Sequence, residues 1–302
     1  MSSINLSYLV PRSSSKAMSV DRSVDRKLTA IIPTRDRPLT LRRAVDSVLR
    51  QTVAVEIVVV DDGSSTPVSL HDLPANALLV RHESARGPAR ARNAGVERAE
   101  TEWVGFLDDD DIWLPQKAEL VLRAASSYPD ANVIYHAVAN NPRRSKFSLK
   151  PVLAPVKRVL YRQPPHLSGV AVRRRVHDGV LFDETMWATQ DIDYLIRLAA
   201  HPPWAEVGAV LTVHGGKPPE GSAIELKSRI EGRLSLLERH GQLILNDQRA
   251  HAFFLTRLGH QYRRDDQIAE AQRCFTQALG LRPTSVVAWK GLARTLLMRV
   301  RA

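Results

Sequence analysis

Four short apolar runs, at residues 28–33, 55–60, 77–80 and 103–107, recur along the first part of the chain. Three of them lead straight into polar clusters: Pro33-Thr34-Arg35, Asp61-Asp62-Gly63-Ser64-Ser65 and Asp108-Asp109-Asp110-Asp111. Runs of this length, rich in β-branched residues, read as strands buried on both faces. Between the first two, Leu41, Ala44, Val45, Val48 and Leu49 keep helical spacing over 38–51, with Pro38 suited to the first turn. Strands alternating with helices predict an α/β fold built on a doubly wound, mainly parallel sheet. Ligands of such sheets sit beyond the carboxyl ends of the strands, where the polar clusters fall.

Past residue 140 the pattern changes. Residues 140–165 are rich in proline and in Arg and Lys, and read as a long mobile loop. Helical spacing returns at Ile192, Leu195, Ile196 and Ala199 and is closed by Pro202-Pro203. After a turn-rich stretch at 215–221 the remainder reads as helical, with Leu258-Gly259, Tyr262, Ala271, Phe275, Ala278 and Pro283 at tetratricopeptide spacings. Trp289 and Leu292 restart that pattern, and 224–245 could pack against it as a further helix. The expected organisation is a disordered tail at 1–27, an α/β domain at 28–217 and a small all-α tetratricopeptide-like domain at 218–302. Its full repeat would occupy 252–285, followed by part of a second.

Composition narrows the partners. The net charge of +11 suits an anionic ligand, whether nucleic acid, anionic lipid or a phosphorylated small molecule. No helix-turn-helix, RNP or zinc-finger pattern supports nucleic acid. The single cysteine, Cys274, rules out an internal disulfide and fits a reducing compartment. No apolar run approaches the roughly 18 residues of a membrane span, and no signal peptide is evident. The expectation is a cytoplasmic protein, with peripheral contact at the inner membrane surface left open.

The four adjacent aspartates carry the most chemistry. Their carboxylates repel one another unless a cation sits among them. On an extended chain Asp108 and Asp110 would point to one side, and clustered oxygen ligands favour Mg²⁺ or Mn²⁺. The competing account is an acidic turn capping a helix that begins near Pro115.

Taken in order, Ile32-Pro33-Thr34-Arg35, Val60-Asp61-Asp62-Gly63-Ser64, Ala91-Arg92-Asn93-Ala94-Gly95 and Phe106-Leu107 followed by the aspartates resemble the family 2 glycosyltransferases of the GT-A fold. The resemblance covers 28–217 and implies roles for individual positions. Pro33, Thr34 and Arg35 would border the nucleotide, and Asp61 or Asp62 would accept from its base or ribose. Arg92, Asp108 and Asp109 would lie against the donor, and Asn93 and Gly95 would shape a helix start. Asp110 would be the principal metal ligand, with His214 near the metal or diphosphate and Lys217 on phosphate.

Gln190-Asp191 resembles the Glu-Asp pair whose aspartate acts as general base, with Gln190 in place of the usual Glu. What the resemblance implies is an inverting transferase moving a sugar from a nucleotide-diphosphate donor, UDP being the commonest, to an acceptor hydroxyl with Mg²⁺ or Mn²⁺. The acceptor, whether protein, saccharide or lipid-linked, is not readable, and the helical repeat could hold a protein partner. Two competitors remain. A nucleotidylyltransferase would carry a glycine-rich loop after the first strand, where Pro33-Thr34-Arg35-Asp36 has none. A non-catalytic scaffold acting through the repeat would tolerate a damaged acidic cluster, yet all four aspartates are present.

Overall fold

The computed structural model describes residues 27–140, 147–215 and 226–301. The first strands follow the apolar runs: β1 is Leu28–Thr34, β2 Glu56–Asp62, β3 Ala77–His82 and β4 Trp103–Phe106. They pair in parallel as β3-β2-β1-β4, so the direction of winding reverses between β1 and β4. That reversal opens a crevice at the strand ends. Beyond β4 the sheet is mixed. β5 (Ile112–Trp113), β6 (Val133–Ala139), β8 (Val170–Arg173) and β9 (Trp204–Val213) complete the order β4-β8-β6-β9-β5, and β7 (Leu149–Val152) pairs with β9.

Alternation along each strand feeds two apolar layers. Ala30, Ile32, Ile57 and Val59 face one side, where they meet Leu41, Ala44, Val45 and Val48 of α1 (Pro38–Leu49) and Ala118, Val121 and Ala124 of α3 (Lys117–Ser127). Ile31, Val58 and Val60 face the other, toward α2 (Pro88–Arg98) and α5 (Gln190–Leu198). Each fully buried Ile or Val contributes roughly 1.5–3 kcal/mol. The approach of α2 to β1 depends on Gly95, where an added Cβ would stand 2.4 Å from Ile31 Cγ2.

The region expected to be one long loop is more ordered than its composition suggests. Residues 141–146, with Arg143, Arg144 and Lys146, lie outside the described residues. Of the rest, 149–152 form β7 and Pro155–Leu160 form the short helix α4. Both prolines fit. Pro151 lies on a strand that pairs on one side only, and Pro155 stands at a helix N-terminus, where a missing N–H costs nothing.

The C-terminal region is helical, with α6 (Leu226–Leu245), α7 (Gln248–Arg264), α8 (Ile268–Leu281) and α9 (Val286–Arg301). Phe275 is fully buried between α7, α8 and α9, against Gly259 and Gly291. The apolar layer on the α2 side continues without a break into Phe254, Leu258, Ala278 and Ala288, so the helices share a core with the sheet. Polar ties join them too. Asp247 caps α7 by accepting from Arg249 and Ala250 N–H, and it also accepts from the Tyr161 hydroxyl beside α4.

Candidate active site

The aspartate run leaves β4 as a turn and not as extended chain: Asp111 N–H donates to the Asp108 carbonyl at 3.0 Å. The strand-alternation argument pairing Asp108 with Asp110 therefore does not hold, and the four carboxylates go separate ways. Asp109 is buried and accepts from Thr34 Oγ1 at 2.7 Å and Arg37 Nη1 at 3.1 Å. Burial lifts its pKa from 3.8 to about 6 despite those bonds. Asp110 is part-exposed, 3.6 Å from Arg37, and burial plus the charges of Asp111 and Asp108 push it up as well. Asp108 accepts from Arg92 Nη2 at 2.8 Å. Burial opposes its ionisation, but the Arg92 guanidinium, helped by His166 and His214, holds it below the usual value.

Asp111 is fully buried. Ile112 pairs with Val213 in the antiparallel β5–β9 ladder, so one step further along the register Asp111 meets His214. Asp111 Oδ1 lies 2.7 Å from His214 Nδ1, and Oδ2, which has no hydrogen-bond partner, lies 3.6 Å from His166 Nδ1. One ligand atom from each of Asp111, His166 and His214 falls within 4.8 Å of the others. This set could hold a metal ion. One carboxylate and two imidazoles suit a divalent cation, and an orphaned buried oxygen is available to it. His214 was expected there from the sequence. His166 was not, and Asp110, expected as principal ligand, stands beside the set instead of within it.

The other expected positions fall at the same strand ends but differ in availability. Pro33 and Thr34 close β1, and Arg35 is exposed beside Asp36. Asp61 is fully buried and satisfied by Ser64 N–H, Val68 N–H and Arg81. Burial opposes its ionisation, but the bonds from Ser64 and Val68 prevail and lower its pKa. Asp62 accepts from Arg86 and Gly87 N–H at 2.9 and 2.8 Å and meets His82. In this state both carboxylates fasten the strand-end loops. Asn93 likewise bonds Phe182 and Glu184, and Lys217 lies outside the described residues. Arg37, which no sequence motif marks, meets Asp109 and Asp110 of the acidic turn, while Arg92 meets Asp108.

Asp191 enters from the far side. It is the second residue of α5, and Thr189 just before the helix sits at φ +59°, a strained conformation for a β-branched residue. The strain is held by a 2.8 Å bond from Thr189 Oγ1 to the Gly232 carbonyl of α6. Gly232 has room for no side chain, because a Cβ would lie 2.9 Å from Ala188 Cβ. The result is one cleft, lined by Arg92, Asp108, His166, Leu167, Thr189, Gln190 and Asp191, with a volume of about 180 Å³. Arg92 Nε and Nη1 are buried without partners at its edge.

Comparison with known proteins agrees with this fold. The chain is similar to S. aureus TarS 1–349 in complex with UDP-GlcNAc (TM-score 0.58, 17% identity), covering 89% of each chain, which shows a shared GT-A-like fold. It is 31% identical over 189 residues to the pre-mycofactocin glycosyltransferase of Mycobacterium tuberculosis, which is 57% of this chain and 39% of that one. It is 33% identical over 131 residues to the UDP-Glc:alpha-D-GlcNAc-diphosphoundecaprenol beta-1,3-glucosyltransferase WfgD of Escherichia coli, 41% of this chain and 51% of that one. An uncharacterized glycosyltransferase of Haemophilus influenzae matches at 34% over 113 residues, 38% of its length, so the chain spans about two fifths to one half of these curated relatives. Residues 29–174, just under half of the chain, match the glycosyl transferase family 2 model.

Proposed function

We propose that the protein is an inverting, metal-dependent glycosyltransferase that moves a sugar from a nucleotide-diphosphate donor, with UDP as the nucleotide, to an acceptor hydroxyl. The observation that carries this is the single cleft joining Asp108 and Arg92 to Asp191. Titratable groups of opposite task line one space there: a cation-paired carboxylate fit to hold donor hydroxyls, and a helix-start carboxylate fit to take a proton. The UDP-sugar chemistry named for the TarS complex and for WfgD supports the donor class.

In this reading the acceptor oxygen attacks the anomeric carbon in line, the bond from that carbon to the diphosphate oxygen breaks, and the hydroxyl proton passes to an Asp191 oxygen. No enzyme-bound intermediate is required, so configuration inverts. Arg92, with two unpartnered guanidinium nitrogens, orients Asp108 and meets negative charge on the donor. Asp111, His166 and His214, with Asp110 beside them, would hold Mg²⁺ or Mn²⁺, which when bound supplies charge neutralisation for the departing diphosphate. The strained Thr189 turn fixes where the Asp191 carboxylate sits. The helical hairpins α7–α9 follow the spacing of tetratricopeptide repeats, and residues 28–217 and 218–302 form the two proposed domains.

The test is UDP release from a panel of UDP-sugars by the wild type and by Asp191→Asn. Donor-dependent release that survives in neither protein, with no nucleotide binding, would sink the proposal.

A further inference from the structure

Next to the cleft lies a second cavity, bounded by α4, the 163–166 segment, α5, α6 and α7. The two spaces share His166 and Asp191, so whatever occupies the second cavity reaches the proposed base from the side away from the acidic turn. Most of its wall is apolar, with Ile196, Leu236 and Phe254 among the lining residues. Its volume is about 90 Å³, room for a few water-sized groups.

Two arginines break the apolar wall. Arg233 of α6 is 8% exposed and its Nε has no hydrogen-bond partner, and Arg257 of α7 lines the same space. Among the described lining residues the one carboxylate is Asp191, so two guanidinium groups face one acid. Burial, then the Arg257 charge, lowers Arg233 to about 10, and burial lowers Arg257 too. A buried cation without a matched anion is costly, and a hydrophobic residue of similar volume would serve packing better. Guanidinium groups suit oxyanions in particular, because their planar fork can donate two parallel hydrogen bonds. The wall is also rigidly joined to the base: α6 is tied to α5 by His240 Nε2 and Asp193 Oδ1 at 2.8 Å, and to the Thr189 turn through Gly232.

We propose that this cavity is the acceptor subsite and that it takes an amphiphilic acceptor, a compact apolar group seated against Leu236 and Phe254 with an oxyanion paired to Arg233 and Arg257. The inference rests on the transferase reading of the adjoining cleft and adds the chemical class of the acceptor. It also gives the C-terminal helices a role. α6 and α7 lie beyond the stretch that matches the family model, so acceptor choice would be written in the part of the chain that the family domain does not include.

The test is calorimetry on the full chain with phenyl phosphate as probe, in Mn²⁺, with and without saturating UDP. Phenyl phosphate should bind whether or not UDP is present, and phenol, its neutral counterpart, at least tenfold more weakly. Arg233→Met should weaken phenyl phosphate at least tenfold, with UDP affinity serving as the fold control, and Arg233→Lys, which keeps the charge but not the fork, by about threefold to tenfold. Equal binding of phenol, displacement of phenyl phosphate by UDP, or an unchanged dissociation constant in a folded Arg233→Met overturns the proposal. Tighter binding of dodecyl phosphate than of phenyl phosphate supports it with a lipid-borne acceptor, and the reverse order supports it with a soluble one. Failure of the wild type to bind UDP would overturn the donor reading itself, and is measured separately from the phenyl phosphate signal.

Discussion

Asp109→Asn should stabilise the protein at neutral pH. Asp109 is 5% exposed, and burial raises it from 3.8 to about 6 although Thr34 and Arg37 both bond it. At 1.36 kcal/mol per pH unit of displacement, holding that carboxylate ionised costs on the order of 3 kcal/mol. Asparagine removes the ionisation and keeps an oxygen for Thr34 Oγ1, while losing the charge on the Arg37 bond, so a gain of about 1–3 kcal/mol is expected. The sign with pH follows from a folded pKa above the unfolded one. Native Asp109 binds a proton that the unfolded chain releases, so the wild type recovers stability as pH falls from about 6 toward 3.8. The advantage of the variant is therefore full above pH 7, shrinks through pH 6 and disappears near pH 4. Urea unfolding in EDTA at pH 7.5 and pH 5 measures it, with a midpoint shift on the order of 1 M at the higher pH. A variant no more stable than the wild type at pH 7.5, or a gap that does not narrow at pH 5, refutes the reasoning.

Other outcomes follow from the same geometry. Asp191→Asn should cut turnover by roughly a hundredfold or more while UDP affinity stays within a few-fold, as loss of a general base does; parallel loss of both would make Asp191 structural. Asp111→Asn should weaken Mn²⁺ binding at least tenfold by calorimetry, since it removes the one charged member of the Asp111, His166 and His214 set. Gly291→Ala should cost roughly 1–3 kcal/mol in thermal unfolding, because its Cβ would stand 2.4 Å from Phe275 Cε1. His136 and His177, lowered by burial to about 3 and about 4, stay neutral in the fold while the unfolded chain takes up protons below pH 6.5. Stability from these two groups should therefore be lost as pH falls from 6.5 through 4, and His177→Gln should flatten that part of the profile if it folds.

β1, β2 and β4, buried on both faces, were legible because continuous apolar runs have few other uses, and β3 lies at its run too although it is a part-exposed edge strand. The later strands were not. β9 crosses the middle of the mixed half of the sheet, and its Trp204–Val213 run carries Glu206 and Gly208 within it, so no period stands out. β7 was hidden by Pro151 and by the charge around it, which an edge position tolerates. At the site, the composition of the acidic run was readable but its geometry was not. Whether Asp110 or Asp111 meets His214 depends on one turn and on the β5–β9 register, both products of tertiary pairing. His166 carried no local signal, because it follows Pro164-Pro165 in a stretch whose composition suggested a loop. Arg233 looked like any basic residue of a surface helix until α7 closed over it.

The most direct test of the central claim is calorimetric titration of UDP into the full-length protein with Mn²⁺, repeated in EDTA and with Asp111→Asn. A cleft that holds a nucleotide diphosphate through a divalent cation should bind UDP with Mn²⁺ and lose at least tenfold in affinity in both of the other conditions. UDP binding of equal strength in EDTA, or no UDP binding in any condition, would contradict the account.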